Sequence, residues 1–230
     1  MKIGILQCGH TPDAVHAVHG DFDALFHHIF KDHGFTFETF NVVDMAFPEA
    51  PTDADGWLVT GSRHGAYEDH AFIPPLEDLI RAIHADGRPM IGICFGHQII
   101  AQAMGGTVEK FSGGWAIGRH DYQFDGLGEA ALNAWHQDQV VARPEGAKTI
   151  ASSAFCENAA LVYGDKIMTV QPHPEIRNPV VESYLAAFHG SKKYPADLLA
   201  RAAKEVDRPN DETRVATMLA EFLKTRKVPA

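Results

Sequence analysis

The 230-residue sequence contains few cysteines and no long apolar run. Its three cysteines leave at least one unpaired in any disulfide scheme, which favours a reducing compartment. No apolar stretch approaches the ~20 residues that span a bilayer, and the N-terminus lacks the long apolar region of a signal peptide. Because 30 acidic residues outnumber 20 basic ones, nucleic acids and anionic membranes are poor candidates as partners. We therefore expect a soluble cytoplasmic protein.

Signatures of metal and nucleotide binding are also missing. The 14 histidines form neither a Cys/His zinc pattern nor an HExxH motif, and the chain has no P-loop and no dinucleotide fingerprint. No cofactor and no metal are therefore predicted. His16 and His19 are expected on solvated helix positions.

Short apolar runs alternate with helical patterns in the first hundred residues. Strands are predicted at 2–6, 35–43, 55–60 and 90–93, and helices at 21–32, 75–85 and 95–103. This alternation predicts a three-layer α/β/α sandwich around a flavodoxin-like, mostly parallel sheet. Glycine-punctuated β-like runs between 107 and 150 indicate a small antiparallel excursion. Further strands at 148–153, 160–163 and 167–170 and a helix at 179–188 complete the predicted core.

The composition changes after residue 190. Residues 195–227 are polar and alanine-rich, with apolar residues at helical spacing, which predicts two or three helices. We expect residues 1–190 to form the main domain and residues 191–230 a helical extension packed on it. Such an extension could serve as a homodimer surface, a partner dock or a lid.

The run GICFGHQ at 92–98 places a cysteine at a sharp strand-to-helix turn. Gly92 and Gly96 flank Cys94 at two-residue spacing, which resembles a nucleophile elbow with cysteine in place of serine. The helix N-terminus that follows would favour the thiolate. A buried structural cysteine before a helix is the alternative, because a nucleophile also needs a base.

The run QPHPE at 171–175 follows an apolar strand and supplies a candidate base. His173 and Glu175 lie two residues apart, so in an extended segment their side chains face the same side. A carboxylate there can fix the imidazole tautomer and stabilise its protonated form. Alone, a histidine between prolines could be a rigid loop corner. With the elbow upstream, the pair predicts a catalytic set of Cys94, His173 and Glu175.

The two motifs together, in this order and separation, resemble the class I glutamine amidotransferase family. The resemblance covers residues 1–190, and it is strongest to stand-alone proteins similar to GMP synthase amidotransferase domains and to plant γ-glutamyl peptidases. It implies that Cys94 is the nucleophile, His173 the general acid/base and Glu175 its orienting partner.

The resemblance also implies where the substrate binds. The Phe95 N–H and an N–H from the loop at Gly61 or Ser62 would form the oxyanion hole. The amino-acid end of the substrate would contact Gln98 and a strip that includes Trp135, Gln137 and Asp138.

The implied reaction is hydrolysis of the γ-amide of glutamine or a γ-glutamyl compound through a γ-glutamyl thioester. The partner would be a small-molecule substrate. Two alternatives stay open: an ammonia-supplying subunit for a synthetase on another chain, and a non-catalytic or regulatory binding module. Cysteine-based chaperones and deglycases on a related sheet have a similar elbow, but residues 173–175 and Gln98 fit amidotransferases better.

Some neighbouring residues are expected to be structural or solvated. Where the family commonly reads Gly-Gly-Pro, this chain has Gly-Ser-Arg at 61–63. Arg63 and His64 could therefore contact the substrate or a partner, or be solvated, and we favour solvated positions for both. Trp115 could line the rim of the pocket, but we favour a position in an ordinary β-core. Cys8 is expected to be structural or incidental, and Cys156 structural.

Overall fold

The computed structural model describes residues 1–228. Its strands are β1 (Lys2–Leu6), β2 (Thr36–Phe40), β3 (Gly56–Val59), β4 (Met90–Ile93), β5 (Thr107–Lys110), β6 (Ala116–Phe124), β7 (Gly128–His136), β8 (Asp138–Ala142), β9 (Lys148–Ser152), β10 (Ala160–Tyr163) and β11 (Ile167–Val170). Its helices are α1 (Asp13–His19), α2 (Phe22–Ile29), α3 (Ile73–Asp86), α4 (Phe95–Ala103), α5 (Asn178–Ala187), α6 (Ala196–Glu205) and α7 (Glu212–Thr225). No helix within this range has the length and apolar character that a membrane crossing requires.

Nine strands form one sheet in the order β2-β1-β3-β4-β11-β10-β9-β6-β7. The first five strands are parallel, and the pairs from β11 to β7 are antiparallel. β5 and β8 form a separate antiparallel pair. The predicted three-layer α/β class is confirmed, and most of the antiparallel excursion continues the main sheet through β9 and β6.

Helices cover both faces of the sheet because its strand residues alternate between two apolar cores. On β3, Leu58 packs into the core that includes residues of α2, α5 and α7. Its neighbours Trp57 and Val59 pack into the opposite core, with α3 and α4. Strands with apolar side chains on both faces are typical of a buried parallel sheet. The central strands β3, β4 and β11 are fully buried.

The C-terminal extension forms two helices, within the predicted range. Phe222 of α7 is fully buried in the core that also contains α2 and α5. The segment before α7 is anchored to β7: Asp211 N–H donates to the Ala131 carbonyl at 2.8 Å, and Ala131 N–H donates to Asp211 Oδ2 at 2.9 Å. These contacts hold the extension against the sheet. The domain boundary at residue 190 stays a prediction.

Candidate active site

Cys94 connects β4 to α4 in a strained backbone conformation. Its φ of 54° and ψ of −104° lie in a region that side-chain-bearing residues rarely adopt. Strain of this kind persists only where the surrounding structure holds it, and it is concentrated at functional sites. The conformation places Cys94 immediately before the first turn of α4, as expected for a nucleophile elbow.

The flanking glycines are required by close backbone packing. A Cβ atom at Gly92 would lie 2.6 Å from the carbonyl oxygen of Gly96. A Cβ atom at Gly96 would lie 2.1 Å from the carbonyl oxygen of Val59 on the adjacent strand β3. Both distances are too short for any side chain, so the turn can form only with glycine on either side.

His173 and Glu175 follow β11 and form a buried pair. His173 Nδ1 lies 2.7 Å from Glu175 Oε1, and the two residues are 4% and 0% exposed. Asn133 of β7 fixes this loop, because its carbonyl accepts from His173 N–H at 2.9 Å and its amide donates to the Ile176 carbonyl at 2.8 Å. Asn133 was not singled out from the sequence, since an asparagine in a β-run carries no motif.

The protonation of His173 is governed by its two neighbours. Burial alone would lower the pKa of His173, but the neighbouring Glu175 and Cys94 side chains outweigh it and raise that pKa to about 10. His136 is also buried, and burial lowers its pKa to about 3, so it stays neutral at neutral pH. His136 Nδ1 lies 3.1 Å from the carbonyl oxygen of Asp138, to which it can donate. The site therefore favours a charged imidazole at His173.

The loop after β3 also lies close to the His173 ring. A Cβ atom at Gly61 would lie 3.3 Å from His173 Cε1. The Thr60 hydroxyl donates to the Gly61 carbonyl at 2.9 Å and accepts from Cys8 N–H at 3.0 Å. Because N–H and C=O point in opposite directions in a trans peptide, this contact turns the Ser62 N–H away from Thr60. Ser62 itself lines the cleft.

The predicted substrate-contacting residues lie along one wall. Gln98 Nε2 donates to the Asp138 carbonyl at 2.9 Å and to Gln171 Oε1 at 3.0 Å. Asp138 Oδ1 accepts from the Tyr67 hydroxyl at 3.2 Å. Gln137 Nε2 donates to the carbonyl of Phe111 at 3.3 Å. Gln98 therefore links α4 to the start of β8, and the strip at 135–138 is held as a unit.

These elements surround a cleft of about 1000 Å³ that contains Cys94 and His173. One wall is aromatic and is formed by Trp115, Trp135, Tyr184, Phe188 and Tyr194. The Tyr194 ring lies 4.8–5.4 Å, between centroids, from the rings of Phe188, Trp115 and Trp135.

Several expectations for this region need correction. Trp115 lines the cleft as well as packing on its aromatic neighbours, because β6 begins at the cleft edge. Arg63 is exposed, as expected, but also lines the cleft, and His64 is partly buried there. Tyr194 shows that the C-terminal extension contributes to the cleft. Two of its contact partners, Trp115 and Trp135, lie more than fifty residues away in the sequence, so no local pattern indicated this wall.

The structure therefore has an elbow cysteine and a histidine in one cleft, with a carboxylate behind the histidine, on a mixed α/β sheet covered by helices. The family described as "Glutamine amidotransferase class-I" matches residues 22–188. The chain belongs to this family.

Its relatives include "Gamma-glutamyl peptidase 2" of Arabidopsis thaliana, which is 28% identical over 94% of this chain and 94% of that protein. "Gamma-glutamyl peptidase 4" of the same plant is 30% identical over 86% of this chain and 88% of that protein. "GMP synthase [glutamine-hydrolyzing]" of Bordetella parapertussis is 36% identical, but the match covers 64% of this chain and only 30% of that protein.

Among solved structures, a glutamine amidotransferase from Thermotoga maritima superposes with a TM-score of 0.76 over 97% of both chains, at 21% identity. A glutamine amido transferase from Methylobacillus flagellatus gives a TM-score of 0.77 over 98% of this chain and 92% of that one, at 23% identity. At these identities the likeness supports the fold.

Proposed function

We propose that this protein hydrolyses γ-glutamyl amide bonds, with Cys94 as nucleophile, His173 as general acid/base and Glu175 as the residue that orients His173. One observation carries the proposal: the strained elbow cysteine and His173 line the same cleft, and His173 is paired with the buried Glu175. A structural cysteine would need neither the strain nor a charged imidazole beside it.

In the proposed reaction, the Cys94 thiolate attacks the γ-carbonyl carbon and the carbonyl π electrons move to its oxygen. When this tetrahedral intermediate collapses, the C–N bond breaks and the leaving amine takes a proton from the His173 imidazolium. The product is a γ-glutamyl thioester on Cys94 and a neutral His173. His173 then removes a proton from water as the water attacks the thioester, and the C–S bond breaks. Glutamate leaves, and the thiolate–imidazolium pair is restored.

Two backbone N–H groups are the proposed donors to the oxyanion. Phe95 N–H, at the start of α4, is one, because the helix dipole also favours negative charge there. Between Gly61 and Ser62, we favour Ser62 as the second donor, since the Thr60 contact with the Gly61 carbonyl turns the Ser62 N–H away from Thr60. Each donor would contribute roughly 3 kcal/mol to lowering the barrier.

The amino-acid end of the substrate would bind along Gln98 and the strip at 135–138. Gln98 Nε2 is already engaged with the Asp138 carbonyl and Gln171, so its amide nitrogen positions the strip. The Asp138 side chain, held by Tyr67, would offer a carboxylate to the substrate ammonium group. Trp135 and Gln137 would complete this end of the site.

The size of the cleft favours a substrate larger than free glutamine. Pockets that enclose drug-sized ligands measure about 300–1,000 Å³, and this cleft lies at the upper end of that range. Beyond Trp135, which contacts the amino-acid end, the rest of the aromatic wall suits a leaving group with apolar surface. The names of the plant relatives, γ-glutamyl peptidases that align over nearly their whole length, agree with this choice.

Ammonia supply to a synthetase on another chain is the second candidate. It is supported by the match to GMP synthase, whose name records glutamine hydrolysis and of which this chain spans 30%. An ammonia supplier needs a cleft that fits glutamine alone. This cleft has a larger volume and an aromatic wall, neither of which glutamine needs.

The deciding experiment measures glutamate release from free glutamine and from a panel of γ-glutamyl peptides and γ-glutamyl conjugates. We expect the conjugates to be cleaved with the higher kcat/KM. Cys94→Ala should abolish release, whereas the matched variant Cys156→Ala, at another buried cysteine, should retain it. Parental activity in Cys94→Ala would refute the mechanism, and a clear preference for free glutamine would favour ammonia supply.

A further inference from the structure

We propose that His64, Glu68 and His70 form a binding site for a divalent transition-metal ion of the chemical class of Zn²⁺ at the wall of the cleft. One donor atom from each of the three side chains lies within 4.8 Å of the other two. Glu68 Oε2 lies 2.8 Å from His70 Nε2 and 3.8 Å from His64 Nδ1. These separations bracket the ~3.3 Å that tetrahedral geometry sets between ligands bound at about 2.0–2.1 Å.

The loop that carries these ligands is held by its own contacts. Glu68 N–H donates to the Gly65 carbonyl at 3.1 Å, and His70 N–H donates to the Glu68 carbonyl at 3.0 Å. The Ala66 carbonyl accepts from Gln102 of α4 at 2.7 Å, which ties the loop to the helix that follows the elbow. Small movements of three side chains would therefore suffice to enclose an ion, and the backbone would not have to reorganise.

The two imidazoles pack against each other and against one aromatic ring. Their ring centroids lie 4.1 Å apart, and both rings contact Phe72. A neutral imidazole is the form that binds a metal ion. Two imidazoles and one carboxylate are ligands that suit Zn²⁺ and related ions, whereas Mg²⁺ and Ca²⁺ prefer oxygen ligands alone.

The charges around the cluster have opposing effects on how tightly it would bind a metal ion. Asp138 faces the cluster from across Gly65 and adds negative charge, whereas Arg63 and Lys193 add positive charge. Three protein ligands also bind less tightly than the four of a structural zinc site. We therefore infer a reversible site with an open coordination position.

That open position would be available to molecules in the cleft, because His64 and Glu68 both line it. A carboxylate or thiolate on a cleft-bound molecule could supply the fourth ligand. The ion would also restrain the loop that begins with Ser62, two residues before His64. The sequence contains no standard zinc motif because the ligands have His-x₃-Glu-x-His spacing in an irregular loop.

The test is Zn²⁺ titration, by calorimetry, of the full chain carrying Cys94→Ala, which removes the catalytic thiol as a competing ligand. We expect saturable binding of one ion per chain. In this background, His70→Ala and Glu68→Gln should each weaken Zn²⁺ binding at least about tenfold. Both residues are partly or fully exposed, so the variants should fold, which thermal unfolding would check.

His10→Ala is the matched control, because His10 also lines the cleft and contacts the carboxylates of Asp21 and Asp44. It should leave Zn²⁺ affinity unchanged. Co²⁺ gives a second readout, since its visible absorption should report a low-coordinate site that disappears in His70→Ala. Absence of saturable binding, or loss of binding in His10→Ala but not in His70→Ala and Glu68→Gln, would overturn the proposal. None of these measurements depends on hydrolytic activity.

Discussion

Gly96 packs so closely against Val59 that a Cβ atom on Gly96 would lie 2.1 Å from the Val59 carbonyl oxygen. This contact brings the first turn of α4 against β3 and sets the position of the elbow. Gly96→Ala should therefore push α4 away from the sheet and lower the free energy of unfolding by about 3 kcal/mol, the upper end of typical overpacking costs. Urea unfolding of the purified variant measures this change.

Gly61→Ala is the matched comparison for that variant. Its added methyl group would meet His173 Cε1 at 3.3 Å, a tight but tolerable contact, and Gly61 does not have a positive φ. We expect a small loss of stability but a clear loss of glutamate release, because the methyl group would displace His173. Equal stability of Gly96→Ala and Gly61→Ala would contradict the packing argument.

The strain at Cys94 predicts an unusual order of stabilities. At φ 54° and ψ −104°, glycine is tolerated better than any residue with a side chain. Cys94→Gly and Cys94→Ala both remove the thiol, but only Cys94→Gly relieves the strain. Relief of about 1–3 kcal/mol should exceed the entropic cost of glycine, about 0.4–1 kcal/mol. Cys94→Gly should therefore unfold at a higher urea concentration than Cys94→Ala.

Cys156 provides the control for this comparison. It is also buried and unpaired, but its φ is not positive. At this position glycine brings only its entropic cost, so Cys156→Gly should be less stable than Cys156→Ala by about 0.5–1 kcal/mol. The same order of stabilities at both positions would show that the elbow stores no strain.

The apolar runs determined how much of the fold could be predicted. β4, β10 and β11 have the predicted bounds, because each is a short, fully buried run between turn residues. β2 ends at Phe40 and not at residue 43, since residues 42–44 form a 3₁₀ turn. His16 and His19 do lie on a helix, as expected, but the bounds of α1 were not predicted, because Val15 is its single buried residue and one apolar position defines no period.

The site likewise contains residues that the sequence could predict and residues that it could not. Cys94, His173 and Glu175 could be proposed because each stands in a short motif with a stated chemical purpose, and the structure brings Cys94 and His173 to one cleft. The aromatic wall could not be proposed, since Trp115, Tyr184 and Tyr194 come from β6's edge, α5 and the C-terminal extension. The cluster at residues 64–70 depends on loop geometry, which residue types alone do not determine.

The aromatic wall predicts a change in substrate preference. Tyr194 is 7% exposed and contacts three other aromatic rings, so Tyr194→Ala should open the wall next to the leaving-group side. We expect about a tenfold loss of kcat/KM for γ-glutamyl conjugates with aromatic leaving groups, since an aromatic pair contributes about 0.5–1.5 kcal/mol beyond its buried area. Any hydrolysis of free glutamine should change much less.

Tyr163→Ala is a control for loss of a buried tyrosine, because Tyr163 packs into the core on the other face of the sheet. It should lower stability without changing the ratio of kcat/KM between conjugates and glutamine. If Tyr194→Ala lowers both activities equally, the wall supports the fold of the site but does not select the leaving group.

Glu175→Gln should move the alkaline limit of activity to lower pH. The carboxylate of Glu175 helps to raise the pKa of His173 against the opposing effect of burial, and leaving-group protonation requires the imidazolium. In the parent, activity should fall as pH rises through this raised pKa. In Glu175→Gln that fall should begin at lower pH, and kcat should decrease by at least about a hundredfold. Profiles of kcat against pH measure both effects.

The same pair predicts how stability depends on pH. Because the folded state raises the pKa of His173, its protonation stabilises the fold fully below the unfolded-state value of about 6.5. This contribution is lost as pH rises above that value and through the raised pKa. The difference in unfolding free energy between the parent and Glu175→Gln should therefore narrow between about pH 6.5 and about pH 10, the raised pKa of His173. Glu182→Gln, at an exposed position on α5, should show no such trend. A constant difference for Glu175→Gln would mean that its carboxylate acts on stability without stabilising the charged His173.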